Sequence, residues 1–124
     1  MSRLSKALRR LELLVLDVDG VLTDGGLSYA PDGQVWRRFD ARDGLGLEPR
    51  ETAFLGDDLN DLVVRPLVGL LVAPADGCRA VRRRAHLVLR RPGGHGAVRE
   101  LAERILRAQG HWHGLARHGW RQRN

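Results

Sequence analysis

The sequence predicts an α/β fold built on a small parallel sheet, and three observations carry that prediction. Two short apolar runs stop at acidic residues and glycine: Leu13-Leu14-Val15-Leu16 leads into Asp17-Val18-Asp19-Gly20, and Ala53-Phe54-Leu55 into Gly56-Asp57-Asp58. Unbroken apolar runs of this length read as strands covered on both faces, the kind found in parallel sheets. Near the other end, Val98, Leu101, Ala102, Ile105 and Leu106 follow the i, i+3, i+4 spacing of an amphipathic helix.

Taken in order, residues 2–10 suggest a short helix, with Leu4, Leu8 and Leu11 on one face and Lys6, Arg9 and Arg10 off it. The first strand follows. Period-two alternation puts Asp17 and Asp19 on one side of it and Val18 on the other. Carboxylates at the C-terminal end of a strand stand where open α/β sheets bind ligands. Like charges this close need a cation, or one of them must hold a proton; Mg²⁺, which prefers oxygen ligands, is the natural partner. Ala30-Pro31-Asp32-Gly33 is a turn signal, since Pro presets φ and Gly accepts φ > 0. Residues 27–29 and 34–39 around it are expected to form a hairpin.

The second strand is expected over residues 53–55, ending in Asp57 and Asp58. Residues 60–68 make a short helix at best, because Pro66 does not sit deep in one. Residues 68–73 read as a third strand. Asp76 is expected to cap a helix running through Val81 to Arg84, and residues 86–89 to form a small fourth strand. Pro92-Gly93-Gly94 breaks the chain before the final helix, which Gly110 ends. One domain over 1–110 is expected, with 111–124 a basic, mobile tail.

Composition bounds the function. At 124 residues and 43% hydrophobic the chain suits a single globular domain. Cys78 is the only cysteine, so no internal disulfide forms. The basic start followed by apolar residues 11–16 mimics a signal peptide, but Glu12 and Asp17 interrupt it, and no apolar run nears the roughly 18 residues of a membrane span. A cytoplasmic location is expected. The net charge is +6. Arg79, Arg82, Arg83, Arg84, Arg90, Arg91 and Arg99 fall in a stretch without acidic residues, between Asp76 and Glu100. No aromatic residue interrupts that block, so it lacks the stacking platforms of single-strand binders. It reads as a solvated face, and nucleic acid is not an expected partner.

Asp17-Val18-Asp19-Gly20-Val21 resembles the first motif of the haloacid dehalogenase superfamily of phosphatases, and Gly56-Asp57-Asp58-Leu59-Asn60-Asp61 its acidic fourth motif. Phe39-Asp40-Ala41-Arg42-Asp43-Gly44 and Gly93-Gly94-His95-Gly96-Ala97-Val98-Arg99-Glu100 narrow the resemblance to phosphatases of eight- and nine-carbon sugar acids, of the 3-deoxy-D-manno-octulosonate 8-phosphate type. The resemblance implies a truncated Rossmann-like sheet with a β-hairpin flap and no large cap domain. It implies Mg²⁺-dependent hydrolysis of a sugar-acid phosphate, of the kind used in lipopolysaccharide biosynthesis, through an aspartyl phosphate. Asp17 is then the nucleophile and a metal ligand. Asp19 is the general acid and base, and binds the metal through its backbone carbonyl. Asp57 is the third protein ligand, with Asp58 and Asp61 behind it. Asp40, Arg42, Asp43 and Gly44 form the substrate loop with Asp19, and Arg42 suits a carboxylate bound in bidentate fashion. His95 is either a solvent-facing loop residue or one that reaches a neighbouring subunit's site. His111 and His113 are too few ligands for a zinc site.

The chain departs from the family in one place. Relatives carry two further β–α units between the substrate loop and the second strand, where only residues 45–52 intervene here; a βαβ unit takes ~30 residues or more. The absent units supply a Ser or Thr that binds the phosphoryl group and a Lys that offsets its charge. Lys6 is the only lysine, and both Lys6 and Thr52 precede their strands. Slow turnover is therefore expected, and the alternative is a catalytically impaired relative that binds metal or phosphosugar, or serves in assembly. Without the missing strands the first strand becomes a sheet edge, and such an edge invites pairing with another chain. A homo-oligomer is expected through that edge or through the hairpin, where Val35, Trp36 and Phe39 lie; the resemblance implies a tetramer.

Overall fold

The computed structural model describes residues 1–17 and 46–119. The expected hairpin, with Val35, Trp36 and Phe39, lies outside the described residues.

Four strands form one sheet in the order β1-β2-β3-β4: β1 Leu13–Leu16, β2 Thr52–Leu55, β3 Leu70–Ala73 and β4 Leu87–Val88. All neighbours are parallel, with Leu13 opposite Thr52, Ala53 opposite Leu70 and Val72 opposite Leu87. The architecture is the expected α/β one, and strand order follows chain order. Among the described residues β1 carries a strand on one side only.

Alternation along each strand feeds two cores. Leu14, Leu16, Ala53, Leu55, Leu70 and Val72 point to one face of the sheet. There they meet helix α1 (Arg3–Arg9) through Leu4 and Leu8, and helix α3 (Ala97–Ala108) through Ala97, Leu101 and Ile105. Val15, Phe54 and Leu71 point to the other face, against Val64, Val68 and Ala85. That second layer holds a 3-10 helix, Leu59–Leu67, and helix α2, Arg79–Arg84. Because both faces are covered, β2 and β3 are buried at every position, which is why they read as unbroken apolar runs.

The end of α3 is tied to α1 by Gln109, whose amide Nε2 donates to the carbonyls of Leu11 (2.9 Å) and Leu8 (3.4 Å). Pro66 sits inside the 3-10 segment, where its missing N–H costs less than in an α-helix with its i to i−4 bonds.

Two local expectations are corrected. Asp76 does not cap α2: the residue before that helix is Cys78, without a side-chain cap, while Asp76 Oδ1 accepts from the Gly93 N–H at 2.9 Å. The aspartate instead holds the Pro-Gly-Gly turn against the sheet. Residues Trp112–His118, to which the sequence assigned no element, form helix α4 beside α3. Trp112 lies beneath two guanidinium groups of α3, Arg99 at 5.3 Å and Arg107 at 5.2 Å from the ring centre.

Candidate active site

Parallel pairing sets the C-terminal ends of β1 and β2 side by side, and each strand is followed by an aspartate. The Asp17 N–H donates to the Leu55 carbonyl at 3.0 Å, extending the β1–β2 ladder by one rung. Asp57 follows Gly56, whose N–H donates to the Val72 carbonyl of β3 at 3.0 Å, while the Asp57 carbonyl accepts from the Cys78 N–H at 2.7 Å. The backbone leading to each carboxylate is thus anchored by the sheet.

A third carboxylate joins them. Asp17, Asp57 and Asp61 each offer an oxygen within 4.8 Å of the others. Asp61 is only 4% exposed. Its Oδ2 accepts from the N–H groups of Asp57 (2.9 Å) and Asp58 (3.1 Å). Asp58 faces solvent and has a structural task, accepting from the Leu59 N–H at 2.7 Å to start the 3-10 helix. Asp58 and Asp61 form a reciprocal capping box. That spacing turns Asp61 back toward the strand end.

Gly56 is required by this arrangement. A Cβ at Gly56 would lie 2.6 Å from the Asp61 carboxylate and 2.6 Å from the Phe54 ring, so only glycine lets the carboxylate close over the strand end.

Electrostatics report the crowding. Burial, then the charges of Asp61, Asp17 and Asp58, push the Asp57 carboxyl up to about 7. Asp61 is pushed up to about 6, first by burial and then by Asp17, against the pull of its two backbone N–H bonds. Three hard oxygen donors on a fixed frame, charged only at a cost without a counter-ion, fit a divalent cation of the Mg²⁺ type.

Asp17 and Asp57 therefore meet, as their strand-end positions predicted. Asp61 stands beside them, offering an oxygen within 4.8 Å of theirs, where the sequence had set it behind the metal with Asp58. The signal that could have moved it forward is the Asp58-to-Asp61 spacing of a capping box. Asp19, Asp40, Arg42, Asp43 and Gly44 lie outside the described residues. Lys6 and Thr52 belong to the opposite end of the sheet. Lys6 lines a cleft with Gly69, Leu70 and His86, at the starts of β3 and β4. Thr52 is the first residue of β2, its hydroxyl donating to the Pro49 carbonyl at 2.7 Å.

No protein-family model matches the chain. The 3-deoxy-D-manno-octulosonate 8-phosphate phosphatase KdsC of Escherichia coli K12 is 31% identical, with 81% of each chain covered. The chain belongs to the KdsC family of phosphatases. The KdsC alignment runs over 153 positions, more than the 124 residues present here, so the relative carries residues without a counterpart in this chain. The solved KdsC-type structures agree in fold. The 3-deoxy-D-manno-octulosonate 8-phosphate phosphatase of Yersinia pestis superposes with a TM-score of 0.78 at 26% identity, covering 89% of this chain and 88% of its own. The cobalt-bound deoxy-D-mannose-octulosonate 8-phosphate phosphatase of Haemophilus influenzae gives 0.74 at 28% identity, covering 86% and 93%. A hydrolase of the haloacid dehalogenase superfamily from Legionella pneumophila gives 0.80 at 28% identity, covering 97% and 94%. This KdsC-type chain is thus a haloacid dehalogenase-like phosphatase.

Proposed function

We propose that this chain is a Mg²⁺-dependent phosphomonoesterase that hydrolyses a sugar-acid phosphate of the 3-deoxy-D-manno-octulosonate 8-phosphate type, as used in lipopolysaccharide biosynthesis. The observation that carries the reading is the convergence of Asp17, Asp57 and Asp61 at one strand edge, in a chain of the KdsC family. That the Haemophilus relative is cobalt-bound supports a divalent ion.

Asp17 is the nucleophile. A carboxylate remains ionised at neutral pH and takes the phosphoryl group as an acyl phosphate that water then cleaves. Asp19 protonates the departing sugar oxygen and afterwards accepts the proton of the attacking water. Asp17, Asp57 and the Asp19 carbonyl hold the cation, with Asp61 as a further oxygen donor and as the brace for the Asp57 backbone. When bound, the cation offsets negative charge shared by the carboxylates and the phosphoryl group. Asp40, Arg42, Asp43 and Gly44 bind the substrate, Arg42 on its carboxylate.

Neither Lys6 nor Thr52 is placed to bind the phosphoryl group from the far end of the sheet. Loss of one preorganised charge stabiliser costs ~10²–10³ in rate, so turnover is slow. The chain acts in the cytoplasm, consistent with its single cysteine; among the described residues no helix is long and apolar enough to cross a membrane. It assembles as a homo-oligomer, a tetramer as the family resemblance implies. The half-buried Leu13, Leu14 and Leu16, on a strand that is paired on one side only among the described residues, support the β1 edge as one contact.

The test is phosphate release from 3-deoxy-D-manno-octulosonate 8-phosphate, with Mg²⁺ and with EDTA, against Asp17→Asn. Mg²⁺-dependent release above that control is expected. Release no greater than the control would leave a catalytically impaired binding or assembly protein. Sedimentation at micromolar concentration tests the oligomer, and a strictly monomeric species would remove it.

A further inference from the structure

Beyond β4 the chain builds a second charged feature, of opposite sign to the carboxylate cluster. Arg90, Arg91, His95, Arg99 and Arg104 line a cleft of about 650 Å³ together with Glu100 and Glu103. None of Asp17, Asp57 and Asp61 lines it. Its volume falls in the range of small-molecule sites.

The frame of the cleft is built, not draped. Glu100, on the first turn of α3, accepts from the backbone N–H groups of Arg90 and Arg91, each at 2.9 Å through Oε1. Its Oε2 also takes the Arg104 Nε at 3.3 Å. The Arg91 carbonyl accepts from the Ala75 N–H at 3.0 Å, which fixes the same segment to the end of β3. Gly96 stands at φ 105°, a conformation that favours glycine, and its α-carbon faces the aliphatic stem of Arg91. A Cβ there would sit 3.5 Å from Arg91 Cγ.

This construction occupies Glu100 with backbone groups and Arg104, and Glu103 lies 3.8 Å from Arg107. Among the described residues, the Arg90 and Arg91 guanidinium groups have no carboxylate within ion-pair distance. Arg99 stacks on Trp112 instead of pairing with an acid. Several permanent cations are thus held around one concavity with their counter-charges already engaged.

We propose that this cleft binds a small polyanion carrying two or more phosphate or carboxylate groups, at a site distinct from the phosphatase centre. Arginine suits the task because its fork donates two parallel bonds to one phosphate or carboxylate and stays charged at any working pH. A compact ligand is favoured over nucleic acid because the cleft offers no aromatic face for a base: the Trp112 ring is covered by Arg99 and Arg107.

The test is isothermal titration of the 124-residue chain with inorganic pyrophosphate, in EDTA and low salt, so that neither metal nor turnover contributes. Saturable binding is expected, weakened about tenfold or more in R90Q/R91Q, the scale of losing one or two charge-assisted bonds. Both side chains are exposed, and far-UV circular dichroism checks that the variant folds; R99Q serves as an independent single variant with a smaller loss. Undetectable binding by the wild type, or equal affinity in both variants, would overturn the proposal. A single-stranded oligonucleotide that binds at low salt and is not displaced by pyrophosphate would overturn it in favour of a nucleic-acid surface. Phosphatase activity, present or absent, bears on none of these outcomes.

Discussion

Asp61 and Glu100 do the same job in different places: each accepts two backbone N–H bonds from a turn after a strand, and each braces a charged cluster. Their acidities move in opposite directions. Burial raises Asp61 to about 6, and its charged neighbours are aspartates. Burial also raises Glu100, but the N–H bonds of Arg90 and Arg91, with Arg104 beside them, outweigh it and leave the carboxyl below its ordinary value. Backbone bonds lower both carboxyls, and whether they prevail depends on how deeply the group is buried and on the charges beside it. On the readings proposed above, the carboxylate edge gains stability from a bound cation and the arginine edge from a bound anion.

The comparison can be broken at several points. The largest effect is expected from Asp17→Asn, which should lower phosphate release by about 10³-fold or more while leaving the fold intact, as measured by steady-state release and circular dichroism. Survival of activity would mean that the carboxylate edge is not the reacting one.

Gly56→Ala comes next. Forcing a methyl group to within 2.6 Å of the Asp61 carboxylate and of Phe54 should cost about 1–3 kcal/mol in urea unfolding and weaken divalent-ion binding. The same substitution at Gly69, 2.7 Å from the Arg50 backbone at the other end of the sheet, should destabilise without touching ion affinity.

A pH series sharpens the contrast. Asp57 and Asp61 hold their protons more tightly folded than unfolded, so between about 4 and 7 the native state binds more protons. Their contribution to the metal-free protein is therefore lost as pH rises through that window. Added Mg²⁺ should restore stability more at pH 8 than at pH 5, since it competes with those protons. Glu100 has the opposite sign: its contribution is present above its unfolded value and lost as pH falls through its lower folded one. Thermal melts of wild type, Asp57→Asn and Glu100→Gln across pH separate the two. A wild-type profile unchanged by Asp57→Asn would contradict the assignment. The smallest effect is expected from Glu100→Gln at neutral pH, about 0.5–1.5 kcal/mol, because a neutral amide oxygen still accepts the Arg90 and Arg91 N–H bonds.

The strand ends were legible because apolar runs and the acids that stop them are local, and a parallel sheet puts such ends together. The amphipathic α3 was equally plain. Asp58 and Asp61 both follow β2, and only their capping-box spacing signalled that one turns outward and the other into the cluster. Asp76 looked like a helix cap because the partner it actually serves, Gly93, is 17 residues away. Helix α4 offered no clean apolar stripe, and it is held by arginines of α3 stacked on Trp112.

What the chain alone determined, then, was a set of buried strands with carboxylates at their ends, since hydrophobic runs and turn chemistry act between neighbours in sequence. Which carboxylates meet, which arginines are left with their counter-charge engaged elsewhere, and which glycine must stay bare were decided by tertiary structure. Those outcomes depend on distances of a few ångströms between residues far apart in the chain, and only packing sets them.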